Sequence, residues 1–415
     1  MSHIKVEAFP SLEGDCILIS LGDNSPQTHI LIDGGFKETY EKYLKKRLLE
    51  MSKKGEKLSL VVVSHIDSDH IEGILELFKE NESADNPIII HIEEVWHNSY
   101  RHLQADILDN STDLGWQEQY ILEDIITKAT TKISHDSNED KDISAEQGSS
   151  LAALLYKGKY KWNNKFNGKA ISNDNQKYIK LNADTSIYML SPNNKKLEKL
   201  KDYWLNELQK LKHDFKLTND KLFDDAYEFY LMEKNEEEAN EEIKEISFKQ
   251  EEKDLGNYLM MKDTYDSSVA NGSSISFILE YKGRKMLFLG DSHHTIIKEE
   301  LVNLKEEDSN IFFDLIKVSH HGSKNNTSKK LLEIIDSNIY LISTNGGRNK
   351  HPDKETIAKI VCRQSKEKRN IVFNYFQDQI WNDEHNKEIY NFNVFYPSQE
   401  NSITISYGNS GIKVE

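Results

Sequence analysis

The sequence predicts an α/β protein, because runs of apolar residues with strand character alternate with stretches that have helical spacing. The clearest strand is Val61-Val62-Val63, whose β-branched side chains favour a buried sheet. Ile71, Ile74 and Phe78 follow at the three- and four-residue steps of an amphipathic helix. Residues 236–252 are rich in Glu and Lys, which is typical of a solvated helix or a linker, so we expect helical insertions beside the α/β core.

Composition narrows the class of protein. The chain has 415 residues, a net charge of −17 and a pI near 5.4. This bulk charge argues against nonspecific adhesion to nucleic acid, although a metal in a cleft would supply positive charge locally. The only cysteines are Cys16 and Cys362, which indicates a reducing compartment without a disulfide framework. The sequence contains no signal-peptide pattern and no apolar run that could span a membrane, so we expect a soluble cytoplasmic protein.

The segment after Val63 carries four side chains that can bind a metal. His65, Asp67, Asp69 and His70 lie within six residues, where the strand passes into the helix. Open α/β sheets place ligand chemistry at the carboxyl ends of their strands. Two imidazoles and two carboxylates are costly to hold together unless a cation neutralises them. Asp69 alone could be the N-cap of the helix, but the four residues together favour a metal site.

Apolar patterns divide the chain into core segments and insertions. Residues 1–98 form the first half of the core, residues 176–192 add core strands, and residues 263–415 form the second half. Between them lie a partly helical insertion at residues 99–175 and a helical, charged insertion at residues 193–262.

Strands and helices are predicted from period-two and helical patterns respectively. Predicted strands occupy residues 4–9, 16–21, 29–33, 61–63, 88–92, 186–190, 274–281, 285–289, 313–318, 339–343, 371–375, 392–396 and 402–407. Predicted helices occupy residues 40–49, 71–78, 116–131, 145–156, 197–211, 328–335 and 354–361.

Several of the predicted strands end in residues that can bind metals. These ends carry Asp33, the cluster at residues 65–70, Asp291, and the adjacent pair His320 and His321. If the strands share one end of a layered structure, their tips converge on one cavity. Gly290-Asp291 is also a common turn dipeptide, whereas two adjacent histidines before Gly-Ser seldom serve packing alone.

These motifs resemble those of the metallo-β-lactamase fold hydrolases, and more closely the hydrolase domain of the competence protein ComEC and its stand-alone relatives. The matching segments, in the family's order, are Gly14-Asp15, Leu31-Ile32-Asp33-Gly34-Gly35, Ser64 to His70 with Gly73, Leu190-Ser191-Pro192, Asn271 to Ser274, Leu289-Gly290-Asp291, Val318 to Ser323 and His351-Pro352. The resemblance implies an αββα sandwich with helical insertions and a binuclear metal site at one edge.

Two departures from the superfamily pattern are visible. Asp67 stands where His is commoner, although Asp is usual in the ComEC-like members. The middle histidine ligand of the superfamily has no clear match, and His97 is the candidate that follows a strand. The first metal would then have fewer protein ligands or use Asp67 in compensation.

The resemblance also implies roles for individual residues. His65, Asp67 and Asp291 would hold one metal, while Asp69, His70, Asp291 and either His320 or His321 would hold the second. The donors are nitrogen and oxygen atoms, so both Zn²⁺ and Mn²⁺ suit the site. Ser323 and Lys324 are positioned to bind a phosphate oxygen, and His351 to orient the substrate or protonate the leaving oxygen. A lysine can equally be a solvated charge.

The expected function is that of a metal-dependent phosphodiesterase, most specifically a nuclease that cleaves DNA with two divalent metals and an activated water. Asp69 and His351 are the residues expected to be catalytic. The ComEC-like resemblance also suggests an anti-phage defence system that would supply protein partners.

Two alternatives remain open at this point. The fold could be a partner-binding module with weak or no catalysis, in which the apolar stripe Leu197, Leu200, Trp204, Leu208 and Leu211 binds another protein instead of its own core. The same metal site would also serve a small substrate, such as a cyclic nucleotide or a thioester.

Overall fold

A computed structural model of the protein describes residues 3–22, 27–104, 116–136, 149–210, 221–242, 254–304, 311–347, 349–365, 367–398, 401–408 and 411–415, without the side chains of residues 129–136 and 233–242. Strands β1 to β17 are, in chain order, Ile4–Ala8, Ile17–Leu21, Thr28–Ile32, Leu60–Val62, Val95–Trp96, Tyr178–Lys180, Thr185–Ser191, Ser276–Tyr281, Arg284–Phe288, Ile311–Phe313, Leu315–Lys317, Ile335–Ser337, Ile339–Ile342, Arg369–Phe373, Phe392–Phe395, Ile403–Gly408 and Gly411–Val414.

Helices lie between these strands. Helices α1 to α13 are Lys37–Thr39, Lys45–Lys53, Ser68–Asn81, Trp116–Asp136, Leu151–Lys157, Asn194–Lys210, Lys221–Glu242, Leu255–Leu259, Val269–Gly272, His294–Leu304, Lys329–Leu332, Lys354–Val361 and Glu384–Ile389. A π-helical turn, Tyr40–Leu44, joins α1 to α2. Short 3₁₀ helices are Tyr100–Gln104, Asn164–Phe166, His320–Gly322 and Ile380–Asn382.

Two large sheets form the centre of the fold. The first has the order β17-β16-β1-β2-β3-β4-β5, in which β3, β4 and β5 are parallel. The second has the order β15-β14-β13-β11-β9-β8-β7-β6, and its strands from β9 to β15 are parallel. The parallel strands in both sheets direct their carboxyl ends toward connections that carry polar residues.

The sheets face each other and are covered by helices on their outer sides. Successive residues of a strand point to opposite faces. Leu18 therefore packs with the helices outside the first sheet, while Ile19 packs against the second sheet. Leu341 likewise lies between the sheets, whereas Ile342 packs with α10 and α12. These layers confirm the predicted αββα sandwich with helical additions.

Three predicted elements differ from the structure. Residues 88–92 form isolated β-bridges but no strand, because the Asn81 side chain accepts hydrogen bonds from the N–H groups of Ile89 and Ile90 at 2.8 and 2.9 Å. The strand in this part of the chain is instead Val95–Trp96. Residues 313–318 divide at Asp314, whose carboxylate accepts the Lys285 N–H at 2.8 Å. The helix predicted at residues 328–335 covers only Lys329–Leu332 before β12 begins.

The apolar stripe of α6 is buried inside the protein itself. Leu197, Leu200, Trp204 and Leu208 are each at most 5% exposed, and Trp204 lies against the rings of Tyr100 and Tyr227. The stripe is therefore not available to another protein along these four residues. Leu211 lies outside the described residues, as do parts of two other predicted segments, residues 145–148 and 243–252.

The division of the chain at residues 98, 175, 192 and 262 stays a prediction. Within the described ranges, none of the helices has both the length and the apolar character needed to cross a membrane.

Candidate metal centre

The turn between β4 and α3 places the first group of polar side chains. Asp67, and not Asp69, occupies the N-cap position of α3, so the interpretation of Asp69 as the N-cap is wrong. Asp69 lies in the first helical turn, where its carboxylate is only partly covered. His65 Nε2 is 3.3 Å from Asp67 Oδ2, and both lie at the carboxyl end of the buried strand.

Asp291 lies at the centre of the site. It follows Gly290 directly after β9 and is 2% exposed. Its Oδ2 atom is within 3.4 to 3.8 Å of four imidazole Nε2 atoms, those of His65, His70, His320 and His321. One carboxylate therefore joins ligand-type residues from three separate strand ends.

Asp69 forms a second group beside this carboxylate. Its Oδ2 atom is 3.3 Å from His321 Nε2 and 3.6 Å from His70 Nε2, and those two nitrogen atoms are 3.3 Å apart. Atoms that can bind a metal lie within 4.8 Å of one another in His65, His70 and Asp291, and again in Asp69, His70 and His321. His70 belongs to both groups, whereas the sequence suggested it for the second metal alone.

His320 and His321 both turn their Nε2 atoms toward Asp291. Their φ angles are 47° and 53°, a left-handed conformation that is uncommon for residues with a Cβ. The Nδ1 atom of His320 is 2.9 Å from Asn326 Oδ1, and that of His321 is 2.9 Å from the Ser343 carbonyl oxygen. Both Nδ1 atoms can donate to these oxygens, which leaves both Nε2 atoms free to bind a cation.

Buried carboxylates support these imidazoles from behind. Asp33 accepts the Ser64 N–H at 2.7 Å, and its Oδ2 is 2.9 Å from His70 Nδ1. Asp266 Oδ2 accepts the side-chain amides of Asn271 and Asn326, both at 2.8 Å. Asn326 therefore connects Asp266 to His320, so that a chain of hydrogen bonds orients this ring.

Asp15 supports the site from the first sheet. Its carboxylate forms a buried ion pair with Lys317 of β11, and Oδ1 is 3.6 Å from His321 Nδ1. The sequence indicates Asp33 as a strand end and Asp15 as part of a segment that matches the family, but it does not indicate Asp266, Asn326 or Lys317. No signal in the sequence marks these three, because each acts through a partner that is distant in the chain.

The carboxylates control the charge of the imidazoles. Burial alone would lower the pKa of His320 and of His321, but Asp291 raises them to about 10 and about 9, with help from Asp266 and Asp69 respectively. Burial would also lower the pKa of His70, which Asp69 and Asp291 instead raise well above its usual value. Burial would raise the pKa of Asp291, which the three histidines lower well below its usual value. The carboxylates thus stabilise positive charge within the cluster.

The donor set fits divalent metal ions. His65 Nε2 and Asp291 Oδ1 are buried and make no hydrogen bond within the part of the chain that the structure describes. Buried polar atoms without a partner are costly, and a cation between them would satisfy both. Nitrogen and oxygen donors in this combination suit Zn²⁺ or Mn²⁺.

The remaining predicted residues lie around this cluster. Ser323 is buried, and its hydroxyl accepts the Asn325 N–H at 3.3 Å. The Lys324 ammonium group is 3.3 Å from Glu355. The ring of His351 is 5.4 Å from that of His320, and burial, together with His320 and His321, lowers its pKa well below the usual value. Their roles toward phosphate and leaving group stay predictions.

His97, the candidate for the middle histidine, makes a different contact. Its Nε2 atom is 2.8 Å from Glu228 Oε1 of α7, and its ring stacks on Trp162. Among the described residues it belongs to none of the metal-binding groups. Asp266 and Asn271, in contrast, approach the cluster and lie 3.5 and 3.4 Å from His320 Nδ1.

A cavity of about 460 Å³ opens over the cluster. Asp67, Asp69, Asp291, His320 and His321 line one part of it, so a substrate in the cavity would reach the candidate metal ligands.

Comparison with known proteins agrees with this geometry. Residues 12–119 match the model of the metallo-beta-lactamase superfamily, a range that includes Asp15, Asp33 and the 65–70 cluster. The fold and the site together are those of a metallo-β-lactamase fold protein, a fold typical of metal-dependent hydrolases.

A curated relative makes the assignment more specific. The chain is 26% identical over 113 residues to ComE operon protein 3 of Bacillus subtilis (strain 168), which covers 27% of this chain and 14% of that protein. The chain is therefore ComEC-like over this region, and it spans only a small part of the length of this relative.

Proposed function

We propose that the protein is a metal-dependent phosphodiesterase that cleaves DNA. The observation that carries the proposal is the position of Asp291, whose Oδ2 lies within 3.8 Å of four imidazole nitrogens, while Asp67 lies near His65 and Asp69 near His321. Such an arrangement suits two cations that share one carboxylate. DNA is proposed as the substrate because the motifs resemble those of the ComEC hydrolase domain, for which the resemblance implies a nuclease.

The residues divide between two metal positions. His65, Asp67 and Asp291 would hold one ion, while Asp69, His70, Asp291 and His321 would hold the other, with His320 directed at the shared carboxylate. When bound, the two cations lower the pKa of water and stabilise negative charge on a phosphodiester in its transition state. Zn²⁺ and Mn²⁺ are the candidates for both positions.

The chain's own contribution is to fix the ligands before the substrate arrives. His70 Nδ1 lies within hydrogen-bond distance of the Asp33 carboxylate, and His321 Nδ1 within that of the Ser343 carbonyl oxygen. These two contacts set the tautomer of each ring. Preorganised donors avoid reorganisation during the reaction. We propose that Ser323, Lys324 and His351 assist substrate binding, and that Asp69 is essential for catalysis.

The test uses the purified full chain, stripped with a chelator and reloaded with Mn²⁺ or Zn²⁺. Hydrolysis of bis(p-nitrophenyl) phosphate and of single- and double-stranded DNA should depend on the added metal. Asp69→Ala should lower kcat/KM by about 100-fold or more, since even partners behind a ligand cost 10- to 100-fold. Asp378→Ala, an exposed residue outside the cavity, is the matched control. Equal cleavage by Asp69→Ala would refute the proposal.

A role in an anti-phage defence assembly, with protein partners and a cytoplasmic location, stays a prediction. Co-purification with the products of neighbouring genes would test it. The burial of Leu197, Leu200, Trp204 and Leu208 means that such a partner would have to bind elsewhere.

A further inference from the structure

We infer that the cavity over the candidate metal centre accepts one unpaired nucleotide, with its base against an aromatic and aliphatic wall. The inference rests on the proposed phosphodiesterase function and makes its substrate more specific. The wall consists of apolar side chains that line the same cavity as the metal ligands, namely Phe36, Tyr203, Leu231, Tyr265 and Val269.

The wall comes largely from the second insertion and the segment that follows it. Tyr203 belongs to α6, Leu231 to α7, and Val269 to α9, while Tyr265 lies between α8 and α9. These elements reach over the core to the edge where the metal ligands converge. The insertion thereby adds apolar surface beside the carboxylates and imidazoles that the core contributes.

Buried contacts hold this wall in place. Glu228, one helical turn before Leu231, accepts the Leu151 N–H at 2.8 Å and lies 2.8 Å from His97 Nε2. Trp204, next to Tyr203, is fully buried. The Tyr265 ring lies 5.0 Å from the ring of His294, although Tyr265 itself is 65% exposed. A preformed surface loses little entropy when a ligand binds to it.

The metal ligands and the apolar wall match the two halves of a nucleotide. A phosphodiester would lie at the cations held by Asp67, Asp69, Asp291 and the histidines, while a base offers a flat apolar face to the aromatic rings. A cavity of about 460 Å³ is at the small end of the usual range for ligand sites, which suits one nucleotide. A paired base would first have to leave its stack, which costs free energy, so an unpaired one is favoured.

The experiment compares two small phosphodiesters on the metal-loaded full chain. Thymidine 5′-(p-nitrophenyl phosphate) carries a base, and methyl p-nitrophenyl phosphate does not. Stacking of one base typically contributes 1–3 kcal/mol, so kcat/KM should favour the thymidine ester by about 5- to 150-fold. Tyr265→Ala should reduce this preference, mainly by raising KM for the thymidine ester, and Tyr265→Phe should restore it.

Phe376→Ala provides the control, because Phe376 is 66% exposed and lies outside the cavity lining. It should keep the full preference. Tyr203→Ala tests the wall from the insertion side, and its fold is checked by thermal unfolding.

Each outcome separates the inference from the proposed function. Hydrolysis of neither ester would refute the phosphodiesterase itself. Hydrolysis of both at similar kcat/KM, or a preference that Tyr265→Ala leaves intact, would overturn the base-binding wall alone. If a cyclohexylmethyl ester showed the same increase in kcat/KM over the methyl ester as the thymidine ester does, the wall would be an apolar surface without base recognition. Equal cleavage of a blunt duplex and of the matching single strand would contradict the requirement for an unpaired nucleotide.

Discussion

At the scale of single residues, Gly14 controls the position of Asp69. A Cβ atom at Gly14 would lie 1.8 Å from the carbonyl oxygen of Asp69, so no side chain fits there without moving the ligand. Gly14→Ala should therefore weaken metal binding by about 10-fold or more, as disturbed support of a ligand typically does. Titration calorimetry with Mn²⁺ measures the change.

The matched control for this substitution is Gly408→Ala. A Cβ atom at Gly408 meets nothing within 4 Å, so this variant should bind metal as the wild type does. Unchanged affinity in Gly14→Ala would show that Asp69 does not contribute to the site.

The ion pair between Asp15 and Lys317 joins the two sheets beneath His321. Both residues are 1% exposed. Lys317→Met should lower the free energy of unfolding by about 3–5 kcal/mol, because it leaves a buried carboxylate without its partner. The double variant Asp15→Asn with Lys317→Met removes both charges and should recover part of that loss. Denaturant unfolding measures both, and equal losses in the two variants would contradict the role of the pair.

The sequence predicted residues of the site where the signal is local. His65, Asp67, Asp69 and His70 stand out because four ligand types follow one strand, and the structure brings three of them to Asp291 or His321. Asp266 gave no such signal. It precedes no periodic element, and its function depends on Asn326, which is 60 residues away in the sequence.

At the scale of elements, Glu7 fixes helix α2 to strand β1. The carboxylate of Glu7 accepts hydrogen bonds from Arg47 at 3.0 to 3.3 Å and lies 2.8 Å from the Lys5 ammonium group. Burial alone would raise the pKa of Glu7, but Arg47 and Lys5 outweigh it and lower the pKa below its usual value. The folded state therefore binds a proton at Glu7 less readily than the unfolded state.

The stability from this contact should depend on pH. A lowered pKa in the folded state means that the stabilisation is present above the ordinary Glu pKa of about 4.3 and is lost as the pH falls through the folded value. The difference in unfolding free energy between the wild type and Glu7→Gln should thus be greatest near pH 7 and shrink below about pH 4. Urea unfolding at several pH values measures it. A difference that stays constant with pH would rule out this explanation.

Periodic elements were predicted more reliably than irregular ones, for a physical reason. The α6 helix has an apolar face of Leu197, Leu200, Trp204 and Leu208, and such a face is buried wherever the helix docks. Residues 88–92 are equally apolar, but the Asn81 side chain forms hydrogen bonds with the backbone of Ile89 and Ile90. The residue pattern of 88–92 alone therefore cannot reveal that the Asn81 side chain, from another element, occupies its backbone groups.

At the scale of the whole molecule, the site exists only because the two sheets meet. His65 and His70 come from the first sheet, and Asp291, His320 and His321 come from the second. Each half alone holds too few ligands for either of the two proposed metal positions. The order of motifs could suggest that they converge, but distances such as the 3.4 Å between Asp291 Oδ2 and His321 Nε2 depend on the packing of the sheets.

Metal binding should therefore stabilise the fold as a whole. A ligand that binds only the folded state adds RT ln(1 + [L]/Kd), which is about 2.7 kcal/mol at 100 times Kd. Addition of Mn²⁺ or Zn²⁺ to the chelator-treated protein should raise Tm progressively with concentration, and a chelator should reverse the shift. Asp291→Asn should lose most of this increase, because the carboxylate shared by both positions is gone, whereas Asp378→Ala should retain it. If Asp291→Asn gained as much stability from the metal as the wild type, the ions would bind elsewhere, and the two sheets would meet without a metal between them.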